Sequence, residues 1–143
     1  MDIQRAIPHR PPFLFIDEVE EITEESITAR YTVRPELPAL AGHFPSFPVM
    51  PGVLAMESVF QAGAILLSEK NAGLGDAIPA LTRVRDARFK RMIRPGDVMT
   101  VRAEIENIVS TAYYMKGGVE VEGKLAMSVS FTCALAPRER VSR

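Results

Sequence analysis

From residue 26 to 33 apolar and polar positions alternate. Ile27, Ala29, Tyr31 and Val33 fall on one face, and Thr28, Arg30 and Thr32 on the other. A period of two marks a strand with one face in a core. The same period returns over Val98–Val109, where Val101, Ala103 and Ile105 oppose Thr100, Arg102, Glu104 and Glu106. Residues 111–121 and 124–135 read as two more strands. Gly117-Gly118 marks a bend or bulge in the first of them, and Glu122-Gly123 a hairpin turn between the two. The apolar run 13–19 predicts a strand, as do residues 81–89 with Met92-Ile93. Pro95-Gly96-Asp97 is a turn. Residues 3–12 are irregular, because Pro8, Pro11 and Pro12 exclude a long helix. Residues 35–51 are a proline-rich loop.

The period changes once. Gly52–Lys70 is rich in helix formers, opens after Pro51, and ends at an Asn71-Ala72-Gly73 stop signal. Its apolar residues lie all round the helix, which predicts burial on most sides. The remaining strands are joined mostly by short turns, so neighbours are antiparallel. A curved antiparallel sheet wrapped round one central helix, an α+β fold, covers that helix most economically.

Composition narrows the function. The chain has 143 residues, which predicts one domain over 1–143. A net charge of −1 argues against a nucleic-acid partner. One cysteine, Cys133, excludes an internal disulfide and a cysteine cluster; its apolar surroundings predict an inert core thiol. Neither a signal peptide nor a convincing membrane span is legible, and a cytoplasmic protein is expected.

Candidate chemistry gathers in GHFPSFPVMPGVLAMESVFQAGAILL, residues 42–67. His43 sits on the rigid loop, and Glu57 is the single carboxylate of the apolar segment that follows. An imidazole, which titrates near ~6.5 when unperturbed, is suited to act as a base at neutral pH. A carboxyl on an apolar helix face is suited to hold a proton and donate it. Gln61 lies four residues on, where its amide can orient that carboxyl. At the helix mouth the N–H groups of Gly52 and Val53 can receive a developing oxyanion. Gly52, without a side chain, would let a substrate approach the backbone. The plainer readings are a surface histidine, a structural ion pair at Glu57 and a dimer contact at Gln61. His9, in HRPPFL, reads as structural. Phe13, Phe44, Phe47 and Phe60 are either tunnel lining or core. Two candidate ligands are too few for a zinc site.

These residues carry a resemblance. The runs IPHRPPFLFIDEV, GHFPSFPVMPGVLAMESVFQ, ARFKRMIRPGD and EVEGKLAMSVSFTCAL occur in this order. The chain thereby resembles the β-hydroxyacyl-(acyl-carrier-protein) dehydratases of bacterial fatty-acid synthesis, over most of its length. That resemblance implies a hot-dog fold. It also implies His43 and Glu57 as the catalytic pair, fourteen residues apart as in the family. A sister branch that also isomerises the double bond has aspartate at the helix position, so Glu57 implies the plain dehydratase. The family's EAMAQ is ESVFQ here, and two phenylalanines before GHFP are replaced by Pro38-Ala39-Leu40-Ala41. Those departures bear on acyl length more than on chemistry.

The resemblance further implies an acyl carrier protein as partner and no cofactor or metal. It implies a homodimer whose sites each take histidine from one chain and glutamate from the other, with three dimers in a hexamer. Within the basic run Arg83, Arg85, Arg88, Lys90, Arg91 and Arg94, the last four are the expected docking residues for an acidic carrier; the plain alternative is a solvated strand face. Two other functions stay open. One is a hot-dog acyl thioesterase, because fold does not fix reaction. The other is a non-catalytic acyl-binding subunit.

Overall fold

The computed structural model describes residues 1–43, 46–72 and 77–137. Two one-turn helices, α1 (Ile3–Ala6) and α2 (Pro38–Ala41), accompany the long α3 (Gly52–Lys70). Six strands follow the chain as β1 (Glu18–Ile22), β2 (Ser26–Thr32), β3 (Ala77–Phe89), β4 (Val98–Val109), β5 (Ala112–Val121) and β6 (Lys124–Pro137). They form one sheet in the order β1-β2-β4-β5-β6-β3, antiparallel throughout.

Alternation decides what the sheet buries. Ile27, Ala29 and Tyr31 of β2, Met99, Val101 and Ala103 of β4, and Met127, Val129, Phe131 and Cys133 of β6 all point into the core. The sheet curls round α3, which packs against β2 to β6. The buried side of α3 carries Ala55, Val59, Ala62, Ile65 and Leu66. Asn71 ends the helix: its side-chain amide and backbone N–H both donate to the Leu67 carbonyl, at 2.8 and 3.0 Å. Tyr113 on β5 donates to the same side chain at 3.2 Å and ties the helix end to the sheet. Gly73, the last part of the expected stop signal, lies outside the described residues.

Some boundaries differ from expectation. Residues 13–17 are not a strand. Gln61 takes up their backbone, accepting from Phe15 N–H at 2.7 Å and donating to the Phe13 carbonyl at 2.9 Å. Regular pairing begins only at Glu18, yet Phe15 and Ile16 are buried. The proline-rich loop contains the single turn α2. β3 starts earlier than expected, at Ala77, and tolerates Pro79 because it is an edge strand.

Gly117-Gly118 is not a bulge: the register with β4 and β6 is regular there. The real constraint is close approach. A Cβ at Gly117 would run into the Arg102 carbonyl oxygen and lie 2.6 Å from Val59 Cγ1 on α3. The expected Glu122-Gly123 hairpin is present, with φ of 51° and 76° at its two central residues. That left-handed pair suits the twist of β5 and β6.

Candidate active site

His43 stands in the loop between α2 and α3, where its backbone N–H closes a turn on the Leu40 carbonyl at 3.2 Å. Its Nδ1 lies 3.0 Å from the Val49 carbonyl oxygen. A carbonyl can only accept, so Nδ1 carries the hydrogen and the neutral ring has its lone pair on Nε2. The next residue fixes the support: Met50 N–H donates to the Ile93 carbonyl at 2.7 Å, anchoring the loop to the segment after β3. His43 lines a cavity of about 390 Å³ with Met50, Gly52, Ala55, Phe89 and Met127, among others. Lys90 and Arg91 line the same cavity.

Gly52 begins α3 at that wall. The N–H groups of Leu54 and Ala55 both turn back to the Pro51 carbonyl. Those of Gly52 and Val53 are left pointing out of the helix mouth, as the first N–H groups of any helix are. The space a side chain at Gly52 would fill is taken by Phe89: a Cβ would lie 2.9 Å from its ring. Glycine there makes room for this ring. Val53 shares the helix mouth, but its side chain is exposed and lies outside the cavity lining.

Glu57 lies elsewhere in the chain. Five residues beyond Gly52 is about 140° round a helix, and Glu57 does not line the His43 cavity. Its Oε2 accepts from the Gln61 amide at 3.1 Å. His9 Nε2 approaches the same oxygen at 3.6 Å. Gln61 is fully buried, and one amide therefore ties the N-terminal segment to α3 and holds the carboxyl. Among the sequence candidates, His43, Gly52, Lys90 and Arg91 meet in one cavity, while Glu57 and Gln61 form a second cluster.

The other two basic candidates do not line that cavity. Arg88 lines a groove on the outer face of the sheet, and Arg94 stacks its guanidinium on Phe47 at 4.9 Å. Phe60 belongs to the core, edge-on to Phe131 at 5.1 Å. Phe13 and Phe47 are largely exposed, and Phe44 lies outside the described residues. Burial pushes the Cys133 thiol up to about 11, as an inert core residue requires. Sequence reasoning missed the contact of His9 with Glu57 and the ring of Phe89 over Gly52. The HRPPFL run carried a signal for the first, whereas nothing in the sequence marked the second.

An antiparallel sheet curled round one long helix defines the hot-dog class. A solved structure of that kind, the dehydratase heterocomplex ApeI:P from Xenorhabdus doucetiae, superposes with a TM-score of 0.84 over 99% of this chain and 95% of that one, at 15% identity. The family follows from sequence: residues 7–130 match the FabA-like domain, and the chain belongs to that family. A relative from Clostridium perfringens, named 3-hydroxyacyl-[acyl-carrier-protein] dehydratase FabZ, is 41% identical over 127 residues, covering 89% of this chain and 91% of the relative. One of the same name from Oceanobacillus iheyensis is 41% identical over 141 residues, covering 94% and 99%.

Proposed function

We propose that this protein dehydrates 3-hydroxyacyl thioesters of acyl carrier protein to trans-2-enoyl thioesters in fatty-acid elongation, in the cytoplasm. His43 Nε2 removes a proton from C2. The C3–O bond breaks, and Glu57 protonates the departing hydroxide, which leaves as water. Charge gathers meanwhile on the thioester oxygen, where the N–H groups of Gly52 and Val53 receive it; such a donor is typically worth about 10²–10³ in rate. The observation that carries this reading is the bond from His43 Nδ1 to the Val49 carbonyl, which leaves the ring in the tautomer a base needs.

The separation of Glu57 from the His43 cavity supports a site shared between two chains. β3 is an edge strand whose Leu81, Val84 and Phe89 are exposed. An edge this long, with Leu81, Val84 and Phe89 exposed among its charged residues, has room for a partner, and a second β3 pairing antiparallel across a two-fold axis supplies one. The homodimer then sets Glu57 of one protomer against His43 of the other, and three such dimers complete a hexamer. Lys90 and Arg91 beside the cavity, with Arg88 and Arg94 further out, dock the acidic carrier.

The test uses purified protein with a 3-hydroxyacyl-carrier thioester, following enoyl absorbance and free thiol together. Enoyl formation without thiol release is expected. Thiol release without enoyl product would place the protein among thioesterases.

A further inference from the structure

His9 lies between α1 and β1 and sets its imidazole against Glu57. Nε2 is 3.6 Å from Oε2. The Gln61 amide donates to that same oxygen, and no described residue donates to Oε1. Two nitrogen groups thus converge on one carboxyl oxygen and leave the other.

The far side of the ring decides which nitrogen carries the hydrogen. His9 Nδ1 is buried and has no partner among the described residues. A buried N–H without an acceptor is rarer and costlier than an unmet lone pair, and a charged one is worse still. The tautomer with its hydrogen on Nε2 is therefore the form that fits, since it leaves Nδ1 with only an unmet lone pair. Around it stand Glu57 and Gln61 from α3, the Phe13 ring at 6.4 Å, and Arg10, whose guanidinium turns to the carbonyls of Gln4, Ile7 and His9.

We propose that His9 is a positioning residue for Glu57: with Gln61 it makes Oε2 the accepting oxygen and leaves the acid proton on Oε1, where the substrate hydroxyl collects it. This rests on the reading of Glu57 as the acid. At 3.6 Å the contact is longer than a hydrogen bond, but catalytic hydrogen bonds are often long in the empty enzyme and tighten with substrate.

Turnover of carrier-linked substrate by His9→Gln, His9→Asn and His9→Phe tests the proposal, each in the wild-type and the Glu57→Gln background. The amide nitrogen of glutamine reaches the place of Nε2, and that of asparagine does not. His9→Asn and His9→Phe should lower kcat about tenfold, the worth of one ordinary hydrogen bond, with KM unchanged. His9→Gln should keep most of the rate, and none of the three should cost anything further once Glu57 is Gln. Full turnover in His9→Asn, a loss equal in His9→Gln and His9→Asn, or the same loss in both backgrounds would overturn the positioning role. Wild-type turnover in Glu57→Gln alone would instead overturn the reading of Glu57 as acid. Comparing Asn with Gln keeps the test valid if the bulkier Phe disturbs folding.

Discussion

Gln61 is the side chain that joins the N-terminal segment to the proposed acid, and Gln61→Leu tests both contacts. It is only 1% exposed and makes three hydrogen bonds, to Phe15 N–H, the Phe13 carbonyl and Glu57. Leucine has a similar volume and no polar atom, so the cavity term is small. What remains is the desolvation of abandoned partners. The buried Phe15 N–H left without an acceptor costs about 1–3 kcal/mol. The Phe13 carbonyl and Glu57 are half-buried and recover part of their loss from water. The sum is about 2–4 kcal/mol, against a typical domain stability of roughly 5–15 kcal/mol, so the variant stays folded. Urea unfolding at fixed protein concentration reads this loss, because association would otherwise shift the midpoint. Gln61→Glu is the informative companion. It keeps an acceptor for Phe15 N–H but removes both donors and places a second carboxylate beside Glu57. At neutral pH it should lose turnover out of proportion to stability. A Gln61→Leu protein within about 0.5 kcal/mol of the wild type, which is the range of an ordinary surface substitution, would refute the bridging role.

Gly117→Ala should destabilise by about 2–3 kcal/mol through overpacking, because its Cβ meets the Arg102 carbonyl and Val59; thermal unfolding checks this, and an unchanged midpoint would contradict it. The Cys133 thiol, raised by burial from 9.0 to about 11, binds its proton more tightly folded than unfolded. Its contribution is whole below about pH 9 and is lost as pH climbs to about 11, amounting to about 2–3 kcal/mol. Cys133→Ala should remove that part of the alkaline slope when stability is followed across pH, and an identical slope in both proteins would count against it. Reversing Lys90 and Arg91 to glutamate together should raise KM for carrier-linked substrate roughly tenfold and flatten its salt dependence; steady-state kinetics at several ionic strengths would show otherwise if the carrier docks elsewhere.

Periodicity carried most of the fold. The alternation at Ile27-Ala29-Tyr31 and Val101-Ala103-Ile105 reports directly which face is buried, and the helix at Gly52 is marked by its change of period. Residues 13–17 misled because an apolar run says that a segment is buried, not how its backbone is satisfied. Here a side chain forty-six residues away from Phe15 supplies the partner. Gly117-Gly118 misled for a related reason: glycine signals a special backbone or a close approach, and only the packed helix tells which. For the proposed site, His43, Glu57 and Gly52 stand out in the sequence as residue types in a suggestive order. The remote contacts were not. His9 meets Glu57 across a gap of forty-eight residues, and Phe89 covers Gly52 from the end of an edge strand. Neither spacing follows a helix or strand period.

The most direct measurement is complementation between His43→Ala and Glu57→Ala proteins, each far below the wild type alone, mixed equally and allowed to exchange subunits. In a mixed dimer one site loses both residues and the other keeps both. With half the dimers mixed by two-fold statistics, activity should return to about one quarter of the wild type. No recovery despite demonstrated exchange would contradict a site built from His43 of one chain and Glu57 of the other.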